Sequence, residues 1–576
     1  MAEVTPFGDG ALLVEVEDVA AAHRLAFRLD VERTGGGAPE ALGESVVGFG
    51  NVVVHLEPGR ERPEVVEAWL RDLARRIPDR SGDVPAHDGG RRVVIPVTFD
   101  GPDLGAVATD LGTTPRAVVE ALTAAPLEVA FVGFSPGFPY LVGLPPALAS
   151  VPRRATPRAS VPAGSVAVGG GFASVYPQST PGGWMLLGRT SLRLFDPHRP
   201  PYALLRAGDA VRFTAERRSA GGGGTTADPG PIGTAADGPT GVLRPLLANR
   251  GARFAEILEP GVLSLVQEQG RRSVAGQGVP RGGPADPEAM RLSNRLAGNA
   301  DDAAAVEITV AGPSLRFTGD GYVTVVGVGV EAVGVLVDGR PVGSGAVVPV
   351  VDGQVVSVGR VRAGLRAYLA VSGGFDIPLE VGSRSSDMLC GLGPGPLRSG
   401  DRLDLGPPSR PLGLLSPPRV PFGSGGRPVL RVLPGPHLVP SGLRRLLSGR
   451  WTVGAASNRV GLRLEAAGDL STDARGDPAR ERAAAAIPST GMVTGAVQIP
   501  PDGNPIVLMP DHATVGGYPV ACCVISADLP LLGQLSPGDT VDFTPVDAMA
   551  ARDARDRWER SMAERVSGWF PTAAGT

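Results

Sequence analysis

Between Gly133 and Phe213 the sequence crowds glycine and proline into four turns that also carry arginine, glutamine and aromatic side chains. They read Gly133-Phe134-Ser135-Pro136-Gly137-Phe138-Pro139-Tyr140-Leu141, Pro157-Arg158-Ala159-Ser160-Val161-Pro162-Ala163-Gly164-Ser165, Tyr176-Pro177-Gln178-Ser179-Thr180-Pro181-Gly182-Gly183-Trp184 and Gly188-Arg189-Thr190. Such turns hold backbone amides in fixed, concave arrangements that cradle anions. Gly164, Gly182 and Gly183 are the candidate cradle, and Arg158 and Arg189 supply the planar fork that matches a phosphate or carboxylate. Gln178 and Gln498 each offer a donor and an acceptor, the complement of a small amide or lactam. Tyr140 and Trp184 read as core residues or pocket walls. His512 follows Asp511 and precedes Gly516-Gly517-Tyr518; it reads either as a packed, hydrogen-bonded histidine or as a general base.

All 55 basic residues are arginine. The absence of lysine excludes a P-loop ATPase, a Schiff-base or pyridoxal enzyme, a biotin-carrying lysine on this chain and a Ser-Ser-Lys amidase. The formal charge of −4, with no basic stripe, argues against nucleic acid and anionic membrane as partners. Cys390, Cys522 and Cys523 lack both the number for a disulfide framework and metal-ligand spacing, so they are expected as buried, inert thiols. Nothing in Met1-Ala2-Glu3-Val4-Thr5-Pro6 has the form of a signal peptide. The most apolar stretch, Tyr322 to Val337, is broken by glycines and Glu331 and reads as buried strands. A cytoplasmic protein is expected.

The elements that must position these residues follow from spacing. With 82 Gly and 57 Pro in 576 residues and 42% hydrophobic side chains, the chain is loop-rich but able to bury cores, and mostly β. Ala11–Val16 and Asn51–Leu56 read as strands. Val66, Trp69, Leu70, Leu73 and Ile77 fall on one face of a helix opened by Pro63, with Glu64 and Glu67 complementing its dipole. A small α+β unit is therefore expected over 1–90 and a β-barrel over 91–216. Arg217 to Pro239, with its run of four glycines, reads as a flexible linker (217–249 in full). Tandem barrels are expected over 250–548 and a tail over 549–576. A weak repeat supports three related barrels: Gly208-Asp209-Ala210-Val211-Arg212-Phe213, Gly400-Asp401-Arg402-Leu403-Asp404-Leu405 and Gly538-Asp539-Thr540-Val541-Asp542-Phe543. In each, the aspartate is expected to brace a turn through side-chain to backbone bonds. One helix should start at Asp286 as N-cap with Pro287 next, and stop at Gly298.

The turns of the first part resemble the KipI family, also described as the B component of the prokaryotic ATP-dependent 5-oxoprolinase and as allophanate hydrolase subunit 1, over about residues 8–213. The second part resembles the companion KipA family, the C component of 5-oxoprolinase, over about residues 255–547. That resemblance is carried by Gln267-Glu268-Gln269-Gly270-Arg271, Gly278-Val279-Pro280, Asp286, Gly373-Gly374-Phe375-Asp376 and Ser457-Asn458-Arg459-Val460-Gly461-Leu462-Arg463-Leu464. It continues through Gly495-Ala496-Val497-Gln498-Ile499-Pro500-Pro501-Asp502-Gly503 and Asp511-His512-Ala513-Thr514-Val515-Gly516-Gly517-Tyr518-Pro519. Glu268 stands where the family usually has Asp, Thr490 replaces a usual Glu, Gly395 a usual Arg, and His55-Leu56-Glu57-Pro58 a usual Tyr-Asp-Pro-like ending.

The resemblance implies a fused B–C protein with cyclophilin-like barrels in both halves, similar also to the carboxyltransferase region of urea carboxylase. It implies a component that activates a small lactam with ATP and Mg²⁺, working with a separate A component (LamB/YcsF-like) that opens 5-oxoproline to glutamate. Phosphorylating the lactam oxygen converts a poor electrophile into one with a leaving group, a step that needs positioning and charge neutralisation. On that reading Arg158, Arg189 and Arg271 neutralise phosphate. Glu268 and Asp511 are candidate catalytic carboxylates and Mg²⁺ ligands, and His512, Gln178, Gln498, Gly516, Gly517 and Tyr518 face the substrate. Two other functions are compatible: a KipI/KipA-type regulator of a sensor histidine kinase, and carboxyl transfer using a biotin carrier on another chain. A homo-oligomer is also compatible with the sequence.

Overall fold

The computed structural model describes residues 2–57, 60, 62–76, 91–216, 253–328, 333–342, 345–414, 427–437, 440–466, 487–564 and 566–567. The expected linker over 217–249, Ile77 and the end of the tail lie outside these residues.

The first unit comprises β1 (Glu3–Pro6), β2 (Ala11–Glu15), α1 (Val19–Gly35), β3 (Leu42–Val47), β4 (Asn51–Leu56) and α2 (Pro63–Arg76). Its antiparallel sheet runs β1-β2-β4-β3. Asp18 caps α1 by accepting from the Ala21 N–H at 2.7 Å, and Gly36, at φ 75°, ends the helix in the left-handed region. Side-chain alternation sends Leu12, Val14, Val52 and Val54 toward the helices, where they pack on Leu25, Leu29, Val66, Leu70 and Leu73. The other face, Ala11, Leu13 and Val53, packs with Phe7 on Met492, Ala496, Leu508, Val520 and Cys523 of the last barrel. The sheet is buried on both sides, which is why Ala11–Val14 reads as an unbroken apolar run.

Three β units follow, each around its own core. Residues 92–215 form a seven-stranded sheet in which Ala210–Ala215 lies parallel to Arg92–Val97. In residues 254–404 a six-stranded and a five-stranded sheet enclose a second core. Residues 429–545 make a closed seven-stranded barrel whose last strand, Thr540–Pro545, is again parallel to its first, Val429–Pro434.

The repeat seen in sequence is one turn built three times. Asp209, Asp401 and Asp539 accept from the N–H groups of Arg206, Arg398 and Ser536 at 3.0, 2.7 and 2.7 Å. The preceding glycines, Gly208, Gly400 and Gly538, sit at φ 85°, 86° and 95°, which an L side chain rarely adopts. Each glycine N–H bonds a strand carbonyl of its own barrel, that of Val129, Ile257 or Val453, at 2.8 Å in every case. The aspartates are turn braces, as the repeat predicts.

Asp286 caps the helix Pro287–Leu296, its Oδ1 accepting from Ala289 N–H at 2.9 Å, and Gly298 follows the helix at φ 76°. The apolar stretch around 322–337 forms the strands Gly321–Gly327 and Val333–Val337, and all three cysteines are buried. The segment expected as a tail begins as the helix Ala548–Glu564. No described helix is long and apolar enough to cross a membrane.

Candidate active site

The family-like segments of the two halves converge on one junction. Val46 of β3, Ala130 and Phe131 of the first barrel, Ala275 and Val515 form a single buried cluster. The connector through residues 270–282 threads it: Gly137 N–H donates to Gln277 O at 2.8 Å, Ala203 N–H to Gln277 Oε1 at 3.0 Å, and Ala275 N–H to Glu44 Oε2 at 2.9 Å. Gly278 is required here, because a Cβ on it would stand 2.7 Å from the Ser135 carbonyl oxygen. Phe134 and Ser273 hold positive φ of 67° and 61° without being glycine, a local strain of the kind that collects at functional sites.

Beside this junction lies a cavity of about 200 Å³ whose walls come from both halves. His55 (on β4) and Glu44 (on β3) enter from the first half; Arg281, Thr494, His512 and Thr514 enter from the second. Burial, then the charge of Arg281, then His512, pushes the His55 imidazole down to about 4. Burial likewise lowers His512, against a hydrogen bond to Ala513. Both rings are therefore neutral at pH 7. His512 Nδ1 lies 2.8 Å from the Ala513 carbonyl oxygen. A carbonyl only accepts, so Nδ1 carries the proton and Nε2 keeps its lone pair. That is the protonation state of a general base. The buried hydroxyl of Thr514 has no partner among the described residues.

Asp511, one residue earlier, turns into the interior between the second and third barrels. Arg459 donates to it from Nε at 2.8 Å and Nη2 at 2.9 Å, and from Nη1 to Glu307 at 2.6 Å. Glu307 also accepts from Tyr368 Oη at 2.7 Å and from Ala285 N–H at 2.9 Å. Burial pushes Glu307 up, but Arg459 and Arg366 outweigh it and hold the carboxyl below its ordinary range. Burial raises the Asp511 carboxyl, with Arg459 opposing and Asp387 adding to the rise.

The other anticipated residues are placed as follows. Arg271 is fully buried; its Nη2 donates to Ser385 O at 2.7 Å, while Nε and Nη1 have no partner among the described residues. Glu268 Oε1 accepts from Arg384 N–H at 2.9 Å, with the Arg384 guanidinium 3.6 Å from Oε2. With Asp511 bound to Arg459 and Glu268 to Arg384, the pair does not fit a resident magnesium site. Among the described residues no group of three or more His, Cys, Asp or Glu side chains could hold a metal.

Arg158 and Arg189 stand on the first barrel with partners there. Arg158 Nη2 donates to Asp103 at 2.7 Å, and Asp103 also accepts from Leu186 N–H at 2.7 Å. Arg189 pairs with Asp100 at 2.9 Å, and its side chain is 65% exposed. The amide of Gly164 is bonded to the Tyr176 carbonyl at 2.7 Å, and Gly182 is needed because a Cβ would meet Tyr176 Oη at 2.4 Å. Gly183 accepts from Arg154 N–H at 2.7 Å. Gln178 is half-buried near this face. Gln498 is buried with its Nε2 3.3 Å from Met492 Sδ; Gly516 packs against both, Gly517 accepts from Ile487 N–H at 3.2 Å, and Tyr518 is exposed.

The structure thus brings His512, Asp511 and the 267–282 connector together, and sets the Arg158–Arg189 face on separate elements. His55, Glu44 and Arg281 are members that residue spacing alone did not single out. The only signal was that His55 breaks a usual Tyr-Asp-Pro-like ending.

Known proteins match both halves. The carboxyltransferase domain, subdomain A and B, matches residues 277–545, and the carboxyltransferase domain, subdomain C and D, matches residues 2–205. The C component of 5-oxoprolinase from Escherichia coli K12 is 32% identical over 321 residues, 54% of this chain and 98% of that protein. The B component of 5-oxoprolinase from Escherichia coli O157:H7 is 52% identical over 181 residues, 30% of this chain and 78% of that protein. The crystal structure of TTHA0988 superposes with a TM-score of 0.75 at 32% identity, covering 94% of this chain and 99% of that one.

Proposed function

The chain belongs to the carboxyltransferase-domain family, with B-type and C-type halves fused in one polypeptide, and from that premise we propose that it is the B–C component of an ATP-dependent 5-oxoprolinase. The observation that carries the reading is the small cavity: His55 reaches it from one half and His512 and Arg281 from the other, so neither half encloses it alone. Its volume of about 200 Å³ suits a single small metabolite such as a five-membered lactam acid.

In the proposed step the lactam carbonyl oxygen attacks the γ-phosphorus of ATP. An O–P bond forms, the P–O bond to ADP breaks, and the lactam N–H proton passes to His512 Nε2, leaving a cyclic imidate phosphate whose ring nitrogen is uncharged. A base next to the reacting amide matters because O-phosphorylation makes that N–H acidic. Arg281, on the cavity wall, is a cation available for phosphoryl charge, whereas Arg158 and Arg189 already face carboxylates and Arg271 is fully buried. Magnesium accompanies ATP, and no step is assigned to a protein-held metal. On a separate A component, water adds at the activated carbon, the ring C–N bond breaks, and a second water releases phosphate to give glutamate.

The test is ATP turnover by the full chain with 5-oxoproline, with and without a candidate A component. Glutamate formed only in the mixture is the expected result. A lack of 5-oxoproline-dependent ATP turnover in every combination overturns the reading.

A further inference from the structure

A substrate that is both lactam and acid brings a carboxylate, which the residues above leave without a partner. The small cavity adjoins a second one of about 790 Å³, and Gly8, Asp9, Leu56 and Arg555 line both. Two of these four are charged. Asp9 is already engaged, accepting from Ser526 N–H at 3.0 Å and Ser526 Oγ–H at 2.6 Å. Arg555 is half-buried and has no hydrogen-bond or ion-pair partner among the described residues.

Its position is well specified. The helix Ala548–Glu564 buries Ala551, Ala554 and Met562, with Ala551 and Ala554 packing on Leu433 and Ile525. Arg291 grips Glu559 through two bonds of 3.1 Å, Trp558 Nε1 donates to Glu288 at 2.7 Å, and Arg552 pairs with Glu64 of α2. Residues 551, 555, 558 and 562 share one helical face by their spacing. Arg555 is therefore an arginine on the inward stripe of a pinned helix, facing a cavity and lacking a carboxylate. The helix lies beyond residue 545, where the match to the carboxyltransferase domain ends.

We propose that Arg555 is the carboxylate anchor of the small cavity. Its planar fork binds the carboxylate of a small acid amide at the wall shared by the two cavities, leaving the amide end to His512 and Arg281. The inference rests on the reading that this cavity takes 5-oxoproline.

The experiment is calorimetric titration of the full chain, with a non-hydrolysable ATP analogue present, using 5-oxoproline and its carboxamide, 2-pyrrolidone-5-carboxamide. Wild type should prefer the acid by about 10- to 100-fold, the value of a charge-assisted contact. R555A should bind both weakly and without preference, R555K should restore part of the preference, and R557A, an exposed control on the same helix, should match wild type. Melting curves establish that the variants fold. A wild-type acid preference retained in R555A and R555K overturns the anchor while leaving the cavity reading intact. Wild type binding neither compound overturns the cavity reading, and the anchor with it.

Discussion

Two regions of this molecule place arginines where an anion could be held, and their partners differ. On the first barrel, Arg158 and Arg154 converge on Asp103, and Arg189 meets Asp100. At the junction of the halves, Arg281 and Arg555 line a cavity with no carboxylate bonded to either among the described residues. Deeper still, Arg459 is held by both Asp511 and Glu307. A guanidinium whose charge is already met by a carboxylate braces loops and barrels. One without such a partner, beside an enclosed space, is available to a ligand. Residue type does not separate these cases; the partner does.

The largest effect should come from the interior. Arg459→Ala strands Glu307 and Asp511 in a buried site, and should cost about 3–5 kcal/mol in a denaturant titration. A loss below 1 kcal/mol would mean that this network is not the brace the comparison makes it. Next comes chemistry at the cavity: His512→Gln should reduce 5-oxoproline-dependent ATP hydrolysis about 100- to 10,000-fold with an unchanged melting curve. Unchanged turnover removes His512 from the site.

The pH response is smaller and tests whether the cavity is dry. Folding depresses the His55 imidazole, so its contribution is fully present above its ordinary value of 6.5 and is lost as pH falls toward about 4. Across that window the unfolded chain binds a proton that folded His55 refuses. The stability curve of His55→Gln should be shallower there by about 1.4 kcal/mol per pH unit. Parallel curves would place His55 in water. The smallest effect belongs to the exposed pair: Arg189→Ala should change stability by about 0–1 kcal/mol and leave turnover near wild type. If it abolishes turnover instead, the anion site lies on the first barrel and the comparison is inverted.

Much of the fold is legible because its signals are local. The turn aspartates Asp209, Asp401 and Asp539 need no long-range information, since their hydrogen bonds close within three residues, and the glycines before them are marked by the positive φ the turn requires. The same holds for Asp286 as a cap and for the apolar face of α2. The site was legible only in part. His512 stood out in its motif, but His55 sits 457 residues away, in a strand whose apolar pattern says only that it is buried. Arg555 hid in a segment expected as a tail. The turns around Arg158 have the composition of an anion cradle, yet amides such as that of Gly164 bond carbonyls inside the barrel.

By itself, then, the sequence determined the reagents and the local geometry: arginine as the only strong cation, no amine nucleophile, glycine where φ must be positive, and strands whose apolar spacing builds separate cores. Tertiary structure decided which charges cancel one another and which remain for a ligand. Pairing depends on distances of a few ångströms between residues hundreds of positions apart, and that information resides in the packing of β2 and β4 on the last barrel.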